Sequence, residues 1–255
     1  FRFGTELLVA PIVTDDDPTA QRGRTEAWLP QGEWYDFFDG RRYVSDNASG
    51  RRLEVWRALD RIPVFAKAGG IIPLQELATG DDVNDLRNPS VLHVLVFPVR
   101  TELSPVDGVV ESVPERRDWT IVFRGVSPVG SDELQVTING IACETAEIVY
   151  DEQTLSLSVA VHDVPSTARL SVAVPKGLSV ADNPIDKDVL DALLHAQMPY
   201  VTKEHALQAI REQGVRAVGA LRTLDGKPRF SKEPFVAYGM PDAVNGVLEE
   251  ILLRS

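Results

Sequence analysis

The chain has 255 residues, 44% of them hydrophobic, enough for one large domain or two to three small ones with packed cores, which argues against global disorder. Its 26 basic and 38 acidic residues leave a net charge of −12, which argues against nucleic acid or an anionic membrane as partner, since both need a basic face. The single cysteine, Cys143, rules out an internal disulfide and a Cys-rich metal site, and no apolar run approaches the roughly 20 residues that span a bilayer.

Leu7 to Val13 is a nearly continuous apolar run, the pattern of a strand buried on both faces as in a parallel sheet. The acidic turn Asp15-Asp16-Asp17-Pro18 follows. Residues 18–98 then read as β structure. Trp28-Leu29 leads through a turn at Pro30-Gln31-Gly32 into the aromatic strand Glu33 to Phe38, and Asp39-Gly40 supplies the positive φ angles of a tight hairpin returning along Arg41 to Val44. Ile62 to Phe65 and Ile71 to Leu74 flank a turn at Gly69-Gly70, and Leu92 to Phe97 is a further strand. Short strands with frequent turns predict a β-sandwich.

Residues 99–183 repeat that character with fewer aromatics. Trp119 to Phe123, Leu134 to Ile138, Thr154 to Val159 and Ala168 to Val174 alternate in period two, and Asn139-Gly140 is the strongest hairpin signal in the chain. A second, smaller sandwich is the expectation. From residue 184 the period becomes helical. Val189, Leu190, Leu193 and Leu194 form one apolar stripe, Thr202 reads as the N-cap of a helix ending near Gly214, and Asp242 as the N-cap of a helix whose core face is Val244, Val247, Leu248, Ile251 and Leu252. The fold class predicted is mainly β: two consecutive antiparallel β-sandwiches, 18–98 and 99–183, then a helical tail, 184–255.

Three segments carry a family resemblance. Phe3-Gly4-Thr5-Glu6-Leu7-Leu8-Val9-Ala10-Pro11-Ile12, Trp28-Leu29-Pro30 with Gly32-Glu33-Trp34-Tyr35-Asp36-Phe37, and Leu59-Asp60-Arg61-Ile62-Pro63-Val64-Phe65 through Pro73 occur in this order. They resemble the region just after the catalytic barrel in the α-glucosidases and α-xylosidases of glycoside hydrolase family 31. The resemblance implies that residues 1–17 are the last strand of a (β/α)8 barrel and a linker, and that the chain, which opens at Phe1 without an initiator Met, is the carboxy-terminal part of a retaining glycosidase. The family's acidic Tyr-Glu-Asp-Asp-Gly hairpin is absent near Val106-Asp107-Gly108.

Retaining glycosidases need two carboxyls about 5–5.5 Å apart. In the family both are aspartates on earlier barrel strands, the nucleophile in a Trp-x-Asp-Met-Asn-Glu-like segment that this sequence lacks. No catalytic residue, cofactor or metal is therefore expected here. The resemblance implies two partners: the chain's own amino-terminal barrel and, through the whole enzyme, an α-glucoside or oligosaccharide. Asp15, Asp16 and Asp17 follow the presumed barrel strand, where barrel active sites form, and are candidates to border the cleft. Trp34 and Tyr35 are candidate sugar contacts, against a role in the core or at a domain contact. Alternation puts Trp34, Asp36 and Phe38 on one face and Tyr35 and Phe37 on the other, one face packing inside the sandwich and the other against the barrel. Asp60 reads as a turn carboxylate paired with Arg61. The acidic balance fits a cytoplasmic protein. Two alternatives remain: a carbohydrate-binding module, and an interaction or homo-oligomerisation module working through the tail.

Overall fold

The computed structural model of the chain describes residues 1–75, 90–98, 114–223 and 239–254. Strands β1 (Arg2–Phe3), β2 (Leu7–Val9), β3 (Gly23–Leu29), β4 (Gly32–Asp36), β5 (Arg42–Ser45), β6 (Arg51–Arg57) and β7 (Val64–Lys67) build a proximal module. Five of them form one sheet in the order β1-β2-β7-β4-β5, and β3 and β6 pair antiparallel as a two-stranded ribbon. Alternation along β3 shows why the two layers stack. Gly23, Ala27 and Leu29 are buried while Arg24, Glu26 and Trp28 are exposed. Ala27, Leu29 and Val55 of the ribbon meet Trp34, Tyr43 and Phe65 of the sheet. The Trp34 indole N–H donates to Pro30 O at 2.9 Å, and the Tyr43 and Phe65 rings meet edge-on, centroids 5.0 Å apart.

Two local expectations change. The run from Leu7 makes only a three-residue, half-buried strand, and its partner β7 is antiparallel, with Leu8 opposite Phe65. Pro11 lacks the N–H that a continuing ladder requires. The Asp39-Gly40 turn is wider than a two-residue hairpin: Gly40 alone has positive φ, +72°. The Asp36 side chain sets this loop by accepting the Phe38 N–H at 2.9 Å, while the Gly40 N–H reaches Asp36 O at 2.9 Å.

At Gly69 (φ +78°) the chain crosses into a distal module. There β8 (Ile71–Gln75), β9 (Val91–Val96), β10 (Arg116–Arg124), β13 (Glu147–Asp151) and β14 (Ser156–Pro165) form a sheet in the order β13-β14-β10-β9-β8. β9 and β10 run parallel, so this sheet is mixed rather than purely antiparallel. Opposite lies a three-stranded sheet of β11 (Gln135–Ile138), β12 (Ile141–Ala142) and β15 (Leu170–Ala173). Asn139 and Gly140 turn β11 into β12 with φ of +52° and +80°, the type I′ pair that the dipeptide announces. Val94, Ile121, Phe123, Leu157 and Val159 from one sheet pack on Val136, Leu170 and Val172 from the other. Val106-Asp107-Gly108 lies outside the described residues.

The modules touch where Gly40 and Gly125 face each other. A Cβ on Gly40 would stand 2.7 Å from Thr154 O and 2.9 Å from Gly125 N, and one on Gly125 would enter the Tyr35 ring at 2.6 Å. Trp34 and Tyr35 do point to opposite faces, but the second face does not wait for an absent barrel. Tyr35 and Ala66 pack against Leu95, Phe97 and Val122 of the distal module.

Helices α1 (Ile185–His195), α2 (Tyr200–Gln213), α3 (Ala217–Leu221) and α4 (Asp242–Leu252) follow. They return to the proximal module, with Trp56 and Ala20 entering their shared core. The α4 stripe Val244, Val247, Leu248, Ile251 and Leu252 is buried as expected. The α1 stripe splits: Val189 and Leu193 are buried in the core that α1 shares with α2 and α4, while Leu190 and Leu194 are exposed. The caps differ too. Pro199 and Pro241 sit at the N-cap positions, which moves Thr202 and Asp242 inside their helices. Gly214 closes α2 with φ +57°.

Candidate functional site

The candidate residues fall into two groups. Asp15 and Asp16 are exposed just beyond β2. Asp17 is half-buried and holds the next turn, its Oδ1 accepting the Thr19 and Ala20 N–H groups at 2.8 Å each. Trp34 and Tyr35 lie in the core, 4% and 0% exposed. The Tyr35 hydroxyl donates to Glu33 at 3.1 Å, and burial first, then the Glu33 charge, pushes its pKa upward. Asp60 is exposed in a turn closed by the Arg61 N–H on Ala58 O. Arg61 is nearer Asp39, at 3.2 Å, than Asp60, at 4.0 Å.

Around the first strands runs an apolar edge. Phe1 and Phe3 alternate onto one face of β1 and are 70% and 65% exposed. β1 pairs with β2 and β2 with β7, and Ala10 N–H bonds Pro63 O at 3.0 Å, next to Ile62. Ile62 is 44% exposed, and Leu59 and Val13 reach 89% and 87%. Single exposed apolar side chains need no explanation. Phe1 and Phe3 together on the edge strand are candidates for a contact surface.

A second feature is charged. Arg57 is buried among Asp36, Glu250 and Tyr43: its guanidinium donates to Asp36 Oδ2 at 2.8 Å, to Glu250 Oε1 at 2.8 Å and to the Tyr43 hydroxyl at 3.1 Å. Glu250 also accepts the Tyr43 O–H and the Trp56 N–H, both at 2.7 Å. A neighbouring set joins Arg41 to Asp188 at 2.8 Å and Arg254 to Asp188 at 2.5 Å. Burial opposes charge on Glu250 and Asp188. The arginines outweigh it and hold both carboxyls below their ordinary range. Burial raises the Asp36 carboxyl, with Asp39 adding to the rise and Arg57 opposing it. Each carboxylate is committed to an arginine, so the cluster works as a bolt between sheet and tail, not as an acid/base pair. Outside it opens a cleft of about 590 Å³ between the Ala58–Arg61 turn and α1. Among the described residues no three His, Cys, Asp or Glu side chains gather as a metal would require.

Residues 1–72 match the family model described as the glycosyl hydrolase family 31 C-terminal domain. Over this segment the chain is similar to the C-terminal domain of that family. The match takes in all three motifs except the last proline, Pro73, and ends where the chain enters β8. An isomaltosyltransferase of Sporosarcina globispora is 30% identical over 105 residues, 40% of this chain and 9% of that protein. A probable α-glucosidase of Oryza sativa is 26% identical over 201 residues, 76% of this chain and 21% of that protein. Among solved structures, the cycloalternan-forming enzyme of Listeria monocytogenes with a pentasaccharide substrate aligns over 70% of this chain and 19% of its own, at 24% identity and a TM-score of 0.49. The chain thus spans between 9% and 21% of the length of these proteins.

The charged bolt escaped sequence reading. Arg51–Arg57 carries a strand signal in Leu53, Val55 and Trp56, but three arginines and a glutamate mask its alternation. Nothing local ties Arg57 to Glu250, 193 residues later.

Proposed function

We propose that this chain is the non-catalytic carboxy-terminal region of a retaining α-glucosidase-like hydrolase, and that its proximal module braces the enzyme's (β/α)8 barrel. The observation that supports this reading most is the exposure of the large apolar side chains Phe1, Phe3, Val13, Leu59 and Ile62, all on the segment that matches the family 31 model. Burying each such side chain against a partner contributes about 1.5–3 kcal/mol, enough for the set as a whole to decide whether the partner stays folded. The occupant is the barrel preceding residue 1, with an α-glucoside or oligosaccharide as that barrel's substrate. Asp15 and Asp16, exposed beyond β2, border the substrate cleft in this arrangement. Trp34 and Tyr35, buried, serve packing, so neither offers its ring face to a sugar.

The test uses the longer polypeptide with its barrel. Leu59→Asp combined with Ile62→Asp is expected to remove most soluble α-glucosidase activity, because both changes place carboxylates in the apolar contact. Unchanged activity and solubility would refute the contact. The isolated chain is expected to leave an aryl α-glucoside unhydrolysed, and turnover above a buffer blank would show reacting groups inside it.

A further inference from the structure

The tail grips one particular strand. β5 lies at the edge of the proximal sheet, and its Arg41, Tyr43 and Ser45 main-chain groups face β4, which leaves Arg42 and Val44 facing outward. All four outward groups are taken within the chain. Asn183 uses its amide as a short strand, its Oδ1 accepting the Arg42 N–H and its Nδ2 donating to Arg42 O, both at 2.8 Å. The Val44 N–H donates to Arg254 O at 2.9 Å. Val44 O accepts from Arg51 Nη1 at 2.8 Å, and the other Arg51 Nη donates to Leu253 O. The tail therefore closes the edge at its first residue and again at its last described one, while the bolt around Glu250 pins α4 behind it.

A free edge strand is a template for another chain. We propose that Asn183 and the Leu253–Arg254 end of the tail, with Arg51, form an edge clasp, whose role is to stop β5 from pairing antiparallel with β5 of a second copy of this chain. The tail thereby opposes self-association instead of mediating it: its apolar stripe is spent on the proximal module, and its polar ends are spent on the edge. This goes beyond the bracing role and stands whether or not a barrel docks on the opposite edge, β1.

The experiment is sedimentation velocity on the chain and on Asn183→Ala combined with Arg51→Ala. The pair frees three of the four outward groups and removes no core side chain. Self-association is expected to strengthen at least about tenfold, and Arg42→Pro added to the pair is expected to reverse it, because proline removes the outward N–H that Asn183→Ala freed without touching the pairing to β4. Unchanged sedimentation with circular dichroism intact, or association indifferent to Arg42→Pro, would overturn the clasp. Should the paired variant fail to fold, hydrogen exchange on the parent chain decides: the Arg42 and Val44 amides are expected to exchange together with those of Leu248 and Ile251, and free exchange of the two edge amides under a protected α4 would overturn it equally.

Discussion

The distal module holds together with apolar side chains from two facing sheets. Its inward positions on β10, β11, β14 and β15 are Ile, Phe, Leu and Val, and its exposed ion pairs, such as Lys176 with Glu133, sit on the outside. The proximal module closes differently. Its first layer is a small aromatic core around Trp34, Tyr43 and Phe65, and behind that lies buried charge: Arg57, Asp36 and Glu250, then helices that arrive from the far end of the chain. A period-two apolar core needs partners only a few strands away. A buried ion cluster needs every partner in place at once, since a charge left alone in the interior is costly. The proximal module is thus complete only with its tail, while the distal module carries its own core.

That contrast can be broken by single substitutions. Arg57→Ala is expected to have the largest effect, about 3–5 kcal/mol of lost stability in urea unfolding, because it strands Asp36 without its counter-charge and leaves Glu250 only Arg254, at 3.6 Å. It is expected to loosen the tail together with the proximal strands, and a loss under about 1 kcal/mol would mean that water reaches the cluster. Leu157→Ala in the distal core, at a residue 1% exposed, is expected to cost about 2–5 kcal/mol while leaving Trp56 fluorescence in the native position as the distal unit melts. A single shared transition for both variants would erase the distinction between the modules.

Acid sharpens it further. Glu250 and Asp188 bind their protons more weakly when folded, so they add stability at neutral pH, and that contribution drains as pH falls below the ordinary glutamate value of 4.5 and through their lowered folded values. Asp36 works against this. Its raised carboxyl costs stability when ionised, a cost that fades on acidification, so the net acid effect is smaller than that of Arg57→Ala. Tail amides are expected to lose exchange protection before distal ones as pH drops. Gly140→Ala is expected to cost about 1–2 kcal/mol from its left-handed φ of +80°, confined to the β11–β12 hairpin. Lys176→Ala is expected to leave the unfolding midpoint where it is, since the pair with Glu133 is exposed.

Legibility in the sequence follows the same division. The distal strands were readable because each one's own alternation carries the information, and Asn139-Gly140 names its turn without help. The buried face of α4 was readable for the same reason. What escaped depends on distant partners. Leu190 and Leu194 fit the stripe but stand exposed among the described residues. Tyr35 packs on a distal strand instead of a barrel. Of the candidate site, the family segment was legible from its three motifs. The bolt was not, because its members look like ordinary surface charges until Arg57 and Glu250 meet across 193 residues.

The most direct measurement on the proposed bracing role is expression of the barrel proposed to precede this region, with and without it, followed by soluble α-glucosidase activity per mole of protein. The barrel alone is expected to be insoluble or inactive and to recover when the region carrying Phe1, Phe3, Leu59 and Ile62 is restored in the same polypeptide. A soluble barrel that turns over substrate at the full rate without it would contradict the account.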